Sequence, residues 1–386
     1  MPRTLIAQTN EVDEADLAMI DLMAQLDLDN NLLANSVGLL FGDLDQFHPD
    51  LLSALSSRLP FDLIGINSSL SSGPSQKEDY YLLNLMVLTS DDLNIMAALS
   101  EDIGQAGLDS IDALYRDLAS RMTGRPKLIL MFGSRQSGNF RAGRAVSRLD
   151  AISGGTPIFG CLSGDFDSID SKGFLVHNGQ KYMDRFAIVM IDGPIKPKFS
   201  IFRVPENKRL KHKAIITSCS GNLIKEINGL PALDYLSGLG FIIDQKVGFS
   251  ATIPMIVENH QADFWSPMVL VSRTDCNYVV CSQDVEVNST LGLGGLDETD
   301  VLKSAGELAD ELKWEQFGFC LIHSCQARHL SLGLDYLGEI ERMRSSLSDL
   351  LPYTLSYTGG EICPCPDKRN KLTNSYHSMS LSCLRF

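Results

Sequence analysis

An arginine and a glutamate in the last third of the chain have the residue types needed to hold an amino acid. Arg328 follows an apolar run that ends at Cys325, and Glu361 follows a Thr-Gly-Gly segment. If Arg328 faces a cavity, its guanidinium would hold a carboxylate in bidentate fashion and Glu361 would take the ammonium. The alternative is an internal ion pair of Arg328 with Glu361 or Glu339, which would be costly to break.

Three histidines flank these motifs. His377 is expected to open the last strand, where it would donate a hydrogen bond to a ligand, and His323 and His329 are secondary candidates. The alternative is a structural histidine whose ring is satisfied within the fold. A metal-binding imidazole also needs a neighbour that orients its second nitrogen, and spacing alone does not reveal one.

The segment Cys363-Pro364-Cys365-Pro366 places two thiols one residue apart. Such a pair is half of a zinc site, and Cys383 and His377 would complete it only if the fold brings them close. The alternative is an exposed, proline-rich loop with free thiols that Lys368 and Arg369 make more acidic. Nine cysteines without an export signal indicate reduced thiols.

Signatures of catalysis are missing from the sequence, so we predict that the protein is not an enzyme. In the segment 160–164 the serine is displaced from the centre that a nucleophile elbow requires. The glycine-rich segment 292–295 has no lysine and so is not a phosphate loop.

The elements that position these residues form a pattern that occurs three times: strand, helix, strand, a loop of small residues, and another strand. The repeat predicts an α/β fold, with two domains of mixed β-sheets layered with helices. Ligands of such sheets usually lie beyond the strand ends, where these loops are. The first strands span 37–41, 128–132 and 317–322, the helices 49–59, 141–151 and 335–347, and the loops 67–74, 160–165 and 358–361.

The small loops are interpreted as the walls of a ligand cavity, since glycine and serine leave room for a guest. The alternative is that small residues only permit tight turns after each strand. The predicted ligand-binding residues are Arg328, Glu361, His377, Tyr357, Gly359, Gly360, Ser163 and Ser68.

Two prolines and a glycine in the segment 193–198 predict a boundary. The first domain is expected over 1–202, with repeats at about 30–100 and 120–202, and the second over 203–386. Within the second, strands are predicted near 214–218, 224–229, 268–272 and 278–282, and a helix over 299–312 with Thr299 as its cap.

The composition excludes several classes of protein. A formal net charge of −15 argues against a nucleic-acid partner, because binding to phosphates needs a basic face. No apolar stretch approaches the roughly 20 residues that span a bilayer, and no signal peptide is recognisable. We therefore expect a cytoplasmic protein that does not insert into a membrane.

The order of these motifs resembles the FIST sensory family over nearly the whole chain. The first half, with its two small loops, resembles the FIST N-terminal domain. The second half resembles the FIST C-terminal domain through the segments 225–232, 325–328, 357–362 and 377–381. The chain departs from the family pattern at Asn67-Ser68-Ser69 and at Ser378-Met379.

The resemblance implies a small-ligand sensor in signal transduction, with amino acids as suggested ligands. It implies no output domain in this chain and a separate partner, such as a histidine kinase or diguanylate cyclase. One branch of the family binds haem and senses nitric oxide. In that alternative His377 is the axial ligand, and otherwise no cofactor is expected. A third alternative is a scaffold that binds protein partners without a ligand.

Overall fold

Three sheets with the same strand order surround one apolar core. The computed structural model describes residues 2–386 except 12, 75–81, 135–141, 165–172, 242–249, 260–263, 274–275, 348–350 and 368–369; at 210–212, 250–254, 258–259 and 264–273 only the backbone is described. The α/β fold and its repeated units are confirmed. The domain boundary at residue 202 stays a prediction.

The first repeat contains a parallel pair of strands, β2 and β3, joined by a helix. Near-continuous apolar sequence in such strands is typical of strands buried on both faces. The first strand, β1, was not predicted. The elements are β1 Arg3–Thr9, α1 Ala15–Leu26, α2 Leu28–Asn31, β2 Asn35–Gly42, α3 Pro49–Arg58, β3 Asp62–Asn67, β4 Ser71–Ser72 and β5 Leu83–Ser90.

The second repeat has the same order, with a parallel pair β7 and β8. Its edge strand β6 and the amphipathic helix α5 were also not predicted from the sequence. The elements are β6 Asn94–Leu99, α4 Ile103–Ala106, α5 Asp109–Arg121, β7 Leu128–Gly133, α6 Ala142–Ser153, β8 Ile158–Leu162, β9 Leu175–His177, β10 Gln180–Tyr182 and β11 Phe186–Asp192.

A closed antiparallel barrel follows the strand β12 Lys198–Phe202. Its six strands pair in the order β13-β19-β16-β17-β18-β14, and β14 pairs back with β13. Leu233 and Leu236 of α7 pack into its apolar cluster. The elements are β13 Arg209–Ser220, β14 Leu223–Ile227, β15 Leu230–Pro231, α7 Ala232–Gly238, β16 Ser250–Asn259, β17 Phe264–Arg273, β18 Val279–Cys281 and β19 Thr290–Gly294.

The third repeat resumes after the barrel, with a parallel pair β20 and β21. The prediction that Thr299 caps its first helix is wrong, because the Asp297 side chain accepts from the Asp300 N–H at 3.0 Å. The elements are α8 Glu298–Leu312, β20 Cys320–Cys325, α9 Gln326–Ser331, α10 Gly338–Ser346, β21 Tyr353–Thr358, β22 Glu361–Pro366, β23 Leu372–His377 and β24 Leu381–Arg385.

In each repeat, the strand that follows the small loop pairs with a strand in the sheet of another repeat. The sheets run β1-β5-β2-β3-β9-β10, β6-β11-β7-β8-β22-β23 and β12-β24-β20-β21-β4. The third sheet therefore receives β4 from the first repeat, the first receives β9 from the second, and the second receives β22 from the third. This cyclic exchange brings the three small loops to one place.

Phe41, Phe132 and His323 occupy equivalent positions near the ends of β2, β7 and β20, and their rings meet in the central core. The ring centroids of each pair lie 5.8 to 6.4 Å apart. The inner faces of all three sheets share this core, while each sheet packs its own helices on its outer face.

Candidate functional site

The three small loops contact one another through backbone hydrogen bonds. We call this place, formed by residues 67–70, 162–164 and 357–360, the three-loop junction. Each loop is bonded to the next, which closes a ring of three segments. The bonds run from the N–H groups of Gly164, Gly359 and Tyr357 to the carbonyl oxygens of Asn67, Leu162 and Leu70, at 3.0, 2.9 and 2.9 Å.

Small residues at the junction allow this close approach of backbones. A Cβ at Gly164 would lie 2.8 Å from the Gly359 nitrogen, and one at Gly359 would overlap the Ser163 carbonyl oxygen. The Ser68 N–H donates to the Gly42 carbonyl at 2.7 Å, and the Ser163 N–H donates equivalently to Gly133 at 2.8 Å. Close packing therefore accounts for much of the small-residue pattern.

We expect Gly359→Ala to destabilise the protein by about 3 kcal/mol, because a methyl group would be forced against backbone atoms that cannot rotate away. Gly143→Ala is the matched control. Gly143 lies in α6, and outside its own helix no atom of the described residues comes within 4 Å of its added Cβ, so alanine should be neutral or stabilise the helix by up to about 1 kcal/mol. Urea unfolding measures both. Equal effects would contradict the close packing.

Asn67 links the first two loops through its side chain. Its Nδ2 donates to the Gly164 carbonyl oxygen at 2.9 Å, and its Oδ1 accepts from the Phe174 N–H at 2.8 Å. Both groups of the buried amide are therefore used in holding the junction. This role accounts for an asparagine at the end of β3.

Arg328 is buried in an ion pair with Glu339, one of the two alternatives considered for an internal pair. Its Nη2 lies 2.5 Å from Glu339 Oε1 and donates to Ser304 Oγ at 2.8 Å. Ser324 Oγ accepts from Arg328 Nε at 3.2 Å and donates to the second oxygen of Glu339 at 2.7 Å. Arg328 is 1% exposed and Glu339 is fully buried. A ligand carboxylate would therefore have to compete with Glu339 for this guanidinium.

Arg328→Met should cost about 3–5 kcal/mol of folding stability, because it leaves the Glu339 carboxylate buried without its cation. Arg121→Met is the control, since its pair with Asp117 is exposed and such pairs contribute about 0–1 kcal/mol. Urea unfolding at neutral pH gives both values. A loss in R328M no larger than in R121M would contradict a structural role for the pair.

Glu361 is a buried carboxyl group that accepts hydrogen bonds from two hydroxyl groups. Oε2 accepts from Ser380 Oγ at 2.7 Å, and Oε1 accepts from Thr358 Oγ1 at 3.2 Å. Among the described residues, no cation forms an ion pair or hydrogen bond with it. Burial raises the pKa of Glu361 to about 8, although the Ser380 and Thr358 hydroxyls act in the opposite direction. The carboxyl group is therefore mostly protonated at neutral pH.

Besides the Tyr357 hydroxyl, two further buried polar groups at the junction have no hydrogen-bond partner in the described part of the chain. They are Nε2 of Gln326, which is 2% exposed, and Oγ of Ser69, which is 6% exposed. The Gln326 carboxamide lies beside the second and third loops, with Oε1 3.1 Å from where a Gly164 Cβ would stand. A buried polar group without a partner costs about 1–3 kcal/mol, so these positions are suited to a ligand or water.

Comparison with known protein families gives two matches. Residues 36–230 match the model described as the FIST N domain, and residues 232–364 match the FIST C domain. The chain belongs to the FIST family. No curated protein matches the chain. FIST domains are small-ligand sensory domains in signalling, so this chain is a member of a sensory family.

His377 is the cross-strand neighbour of Glu361 in this FIST protein. It ends β23 and does not open the last strand, so that detail of the prediction is wrong. Its Nε2 lies 3.0 Å from the Cys363 carbonyl oxygen, and burial lowers its pKa to about 4. The arrangement does not present this nitrogen to a haem. Axial ligation by His377 stays a prediction, and ligation through Nε2 would require this contact to be broken.

The cysteines 363 and 365 lie in a strand, which corrects the expectation of an exposed loop. β22 pairs with β23 from Glu361 to Pro366, and both thiols are buried. Burial raises the pKa of both thiols, so they are not acidic. In the described residues no three histidine, cysteine or acidic side chains are placed to hold a metal ion. Lys368 and Arg369 lie outside the described residues.

Among the predicted ligand residues, the junction contains Ser68, Ser163, Gly359, Gly360 and Tyr357. Glu361 and His377 adjoin it. Arg328 belongs to the neighbouring cluster with Glu339. Burial, together with the Glu339 carboxylate, raises the pKa of Tyr357. Neither Gln326 nor Ser69 was predicted as a ligand-binding residue. The sequence does carry a signal for both residues. Gln326 directly follows an apolar strand, and Ser69 lies in the small loop after another.

Proposed function

We propose that this FIST protein senses a small polar molecule at the three-loop junction. The observation that carries the proposal is the pair of buried groups, Gln326 Nε2 and Ser69 Oγ, left without partners beside the protonated carboxyl of Glu361. A ligand with its own donors and acceptors would satisfy these groups. The amino-acid class fits in part, because an ammonium group would pair with Glu361 once that carboxyl ionises.

The proposed signal passes to a separate protein in the cytoplasm, such as a histidine kinase or a diguanylate cyclase. The family's sensory role supports this step. In the part of the chain that the structure describes, no helix has the length and apolar character to cross a membrane. A ligand would act by favouring one of two arrangements of the protein.

A thermal-shift screen of amino acids, organic acids and small amines tests the proposal. A ligand at about 100 times its dissociation constant should add roughly 2.7 kcal/mol to stability. Gln326→Leu should abolish the shift, because it removes the amide at the junction. Gln105→Leu, at an exposed position of α4, should keep it. A shift that survives in Q326L would place the ligand elsewhere, and no shift with any compound would contradict sensing.

The haem alternative is tested by absorbance. If haem binds through His377, the protein mixed with haem should give a Soret band that His377→Ala removes. A band unchanged in H377A would exclude His377 as the ligand, and a protein that takes up no haem would exclude the alternative. A ligand-free scaffold would give neither a Soret band nor a thermal shift.

A further inference from the structure

The turn of residues 378–380 contacts Glu361 on one side and the barrel on the other. Ser380 Oγ donates to Glu361 Oε2 at 2.7 Å. At the opposite end, Ser378 Oγ lies 3.1 Å from Ser282 Oγ and accepts from Gln283 Nε2 at 3.5 Å. Ser282 and Gln283 directly follow the barrel strand β18. The 378–380 turn therefore bridges a buried titratable group and the barrel.

Met379, at the centre of this turn, has a left-handed backbone with a φ of 55°. This region is uncommon for residues with bulky side chains. The side chain is 1% exposed and packs in an apolar cluster with Ile256 of the barrel and with Cys325 and Ala327. Packing from both sides thus holds an unfavourable backbone conformation, and such conformations often occur in switch regions.

Glu361 is the group near the turn whose charge changes close to neutral pH. Burial raises the pKa of the thiols of Cys161, Cys325 and Cys363, so they stay neutral, and the lowered pKa of His377 keeps its ring neutral. Arg328 is already paired with Glu339. Arg203, which follows β12, is a further cation near this site, since its charge acts on the Cys363 thiol and on the His377 ring. The Cys383 thiol of β24 also acts on Cys363.

We propose that the 378–380 turn transmits the charge state of Glu361 to the barrel. When the carboxyl group ionises, it accepts the Ser380 hydrogen bond more strongly, because a charged acceptor strengthens the bond. The turn then moves toward Glu361, and the contacts of Ser378 and Met379 carry this shift to the barrel. The biological role of this link rests on the proposed function, since a ligand that ionises Glu361 would use the same path. The link itself is tested by changing the pH, without any ligand.

The barrel carries its own fluorescent reporter. The chain has two tryptophans, Trp265 in β17 and Trp314, which is 82% exposed. In Trp314→Phe, the emission of Trp265 should change in a single step between pH 6 and 9.5. Hydrogen exchange of the segment 276–285, corrected for the intrinsic effect of pH, should change over the same range. Both changes should be absent in W314F/E361Q.

Ser378→Ala tests whether the turn transmits the change to the barrel, because it leaves the titration of Glu361 itself in place. In W314F/S378A, the Trp265 step should lose at least half of its amplitude while the stability of the protein still depends on pH through Glu361. Arg144→Ala is the control, because the Arg144–Asp284 pair at 2.7 Å also joins the barrel to the rest of the protein. It should leave the step intact.

Three outcomes would overturn the link. The first is a fluorescence step that persists in W314F/E361Q, and the second is an equal loss of step amplitude in S378A and R144A. The third is a barrel that shows no change in fluorescence or hydrogen exchange while Glu361 titrates. The ligand screen is a separate measurement at fixed pH. Its failure would remove the proposed ligand and leave the link between Glu361 and the barrel standing.

Discussion

Glu361→Gln should make the protein more stable than the wild type above about pH 8. The wild-type carboxyl has a pKa of about 8 in the folded protein, against 4.5 when unperturbed, because the site is buried. Its stabilising contribution is complete below pH 4.5 and is lost as the pH rises toward 8. Since each pH unit of this range is worth about 1.4 kcal/mol, ionisation removes on the order of 5 kcal/mol.

Urea unfolding from pH 5 to 9 measures this effect as the difference between the variant and the wild type. The amide keeps the size of the group and cannot ionise, so the stability of E361Q should change less with pH. Glu226→Gln, at an exposed position of β14, should follow the wild type throughout. Parallel curves of stability against pH for wild type and E361Q would show that Glu361 is already ionised at neutral pH. Both proposals would then lose the protonated carboxyl group on which they depend.

The repeated architecture could be predicted from sequence because its signals are local. Apolar runs such as those of β2 and β7 end in small residues, and a helix pattern separates each run from the next strand. The exchange of β4, β9 and β22 could not be predicted. These strands pair with partners far away in the sequence, and nothing in their own residues specifies which sheet they join. Edge strands β1 and β6 were missed for a similar reason.

The sequence indicated where most of the site residues lie, but it did not settle what each of them does. Glu361 and His377 were expected near one small loop, and the β22–β23 pairing makes them neighbours. The role of Arg328 depended on whether Glu339 in α10 would reach it, and sequence spacing left that open. Gln326 stands two residues from Arg328, but only burial shows that its amide nitrogen has no partner among the described residues.

The repeats also show why His323 is unusual. Phe41 and Phe132 occupy the two equivalent positions, and their strand neighbours in register are the apolar Ile66 and Cys161. The third repeat instead has His323, whose Nδ1 lies 2.9 Å from Ser356 Oγ. Its Nε2 has no hydrogen-bond partner among the residues that the structure describes. The predicted third strand ended at residue 322, so the sequence pattern matched Ile322, and not His323, with Phe41 and Phe132.

His323→Phe should protect the protein against acid. Burial lowers the pKa of His323 to about 3 from an unperturbed 6.5, so the ring must be neutral in the folded protein. The stability associated with the neutral ring is present above pH 6.5 and is lost as the pH falls toward 3, by on the order of 5 kcal/mol in total. Phenylalanine cannot be protonated and matches the two equivalent positions.

Unfolding by urea from pH 7 to 4 provides the test, and the quantity compared is the slope of stability against pH. The slope is needed because H323F also deprives the buried Ser356 hydroxyl of its partner, which lowers stability equally at every pH. His323→Phe with Ser356→Ala should restore that loss and keep the shallower slope. If both variants lose stability in acid as steeply as the wild type, the imidazole is already accessible to protons, and the core around Phe41 and Phe132 is more open than its packing indicates.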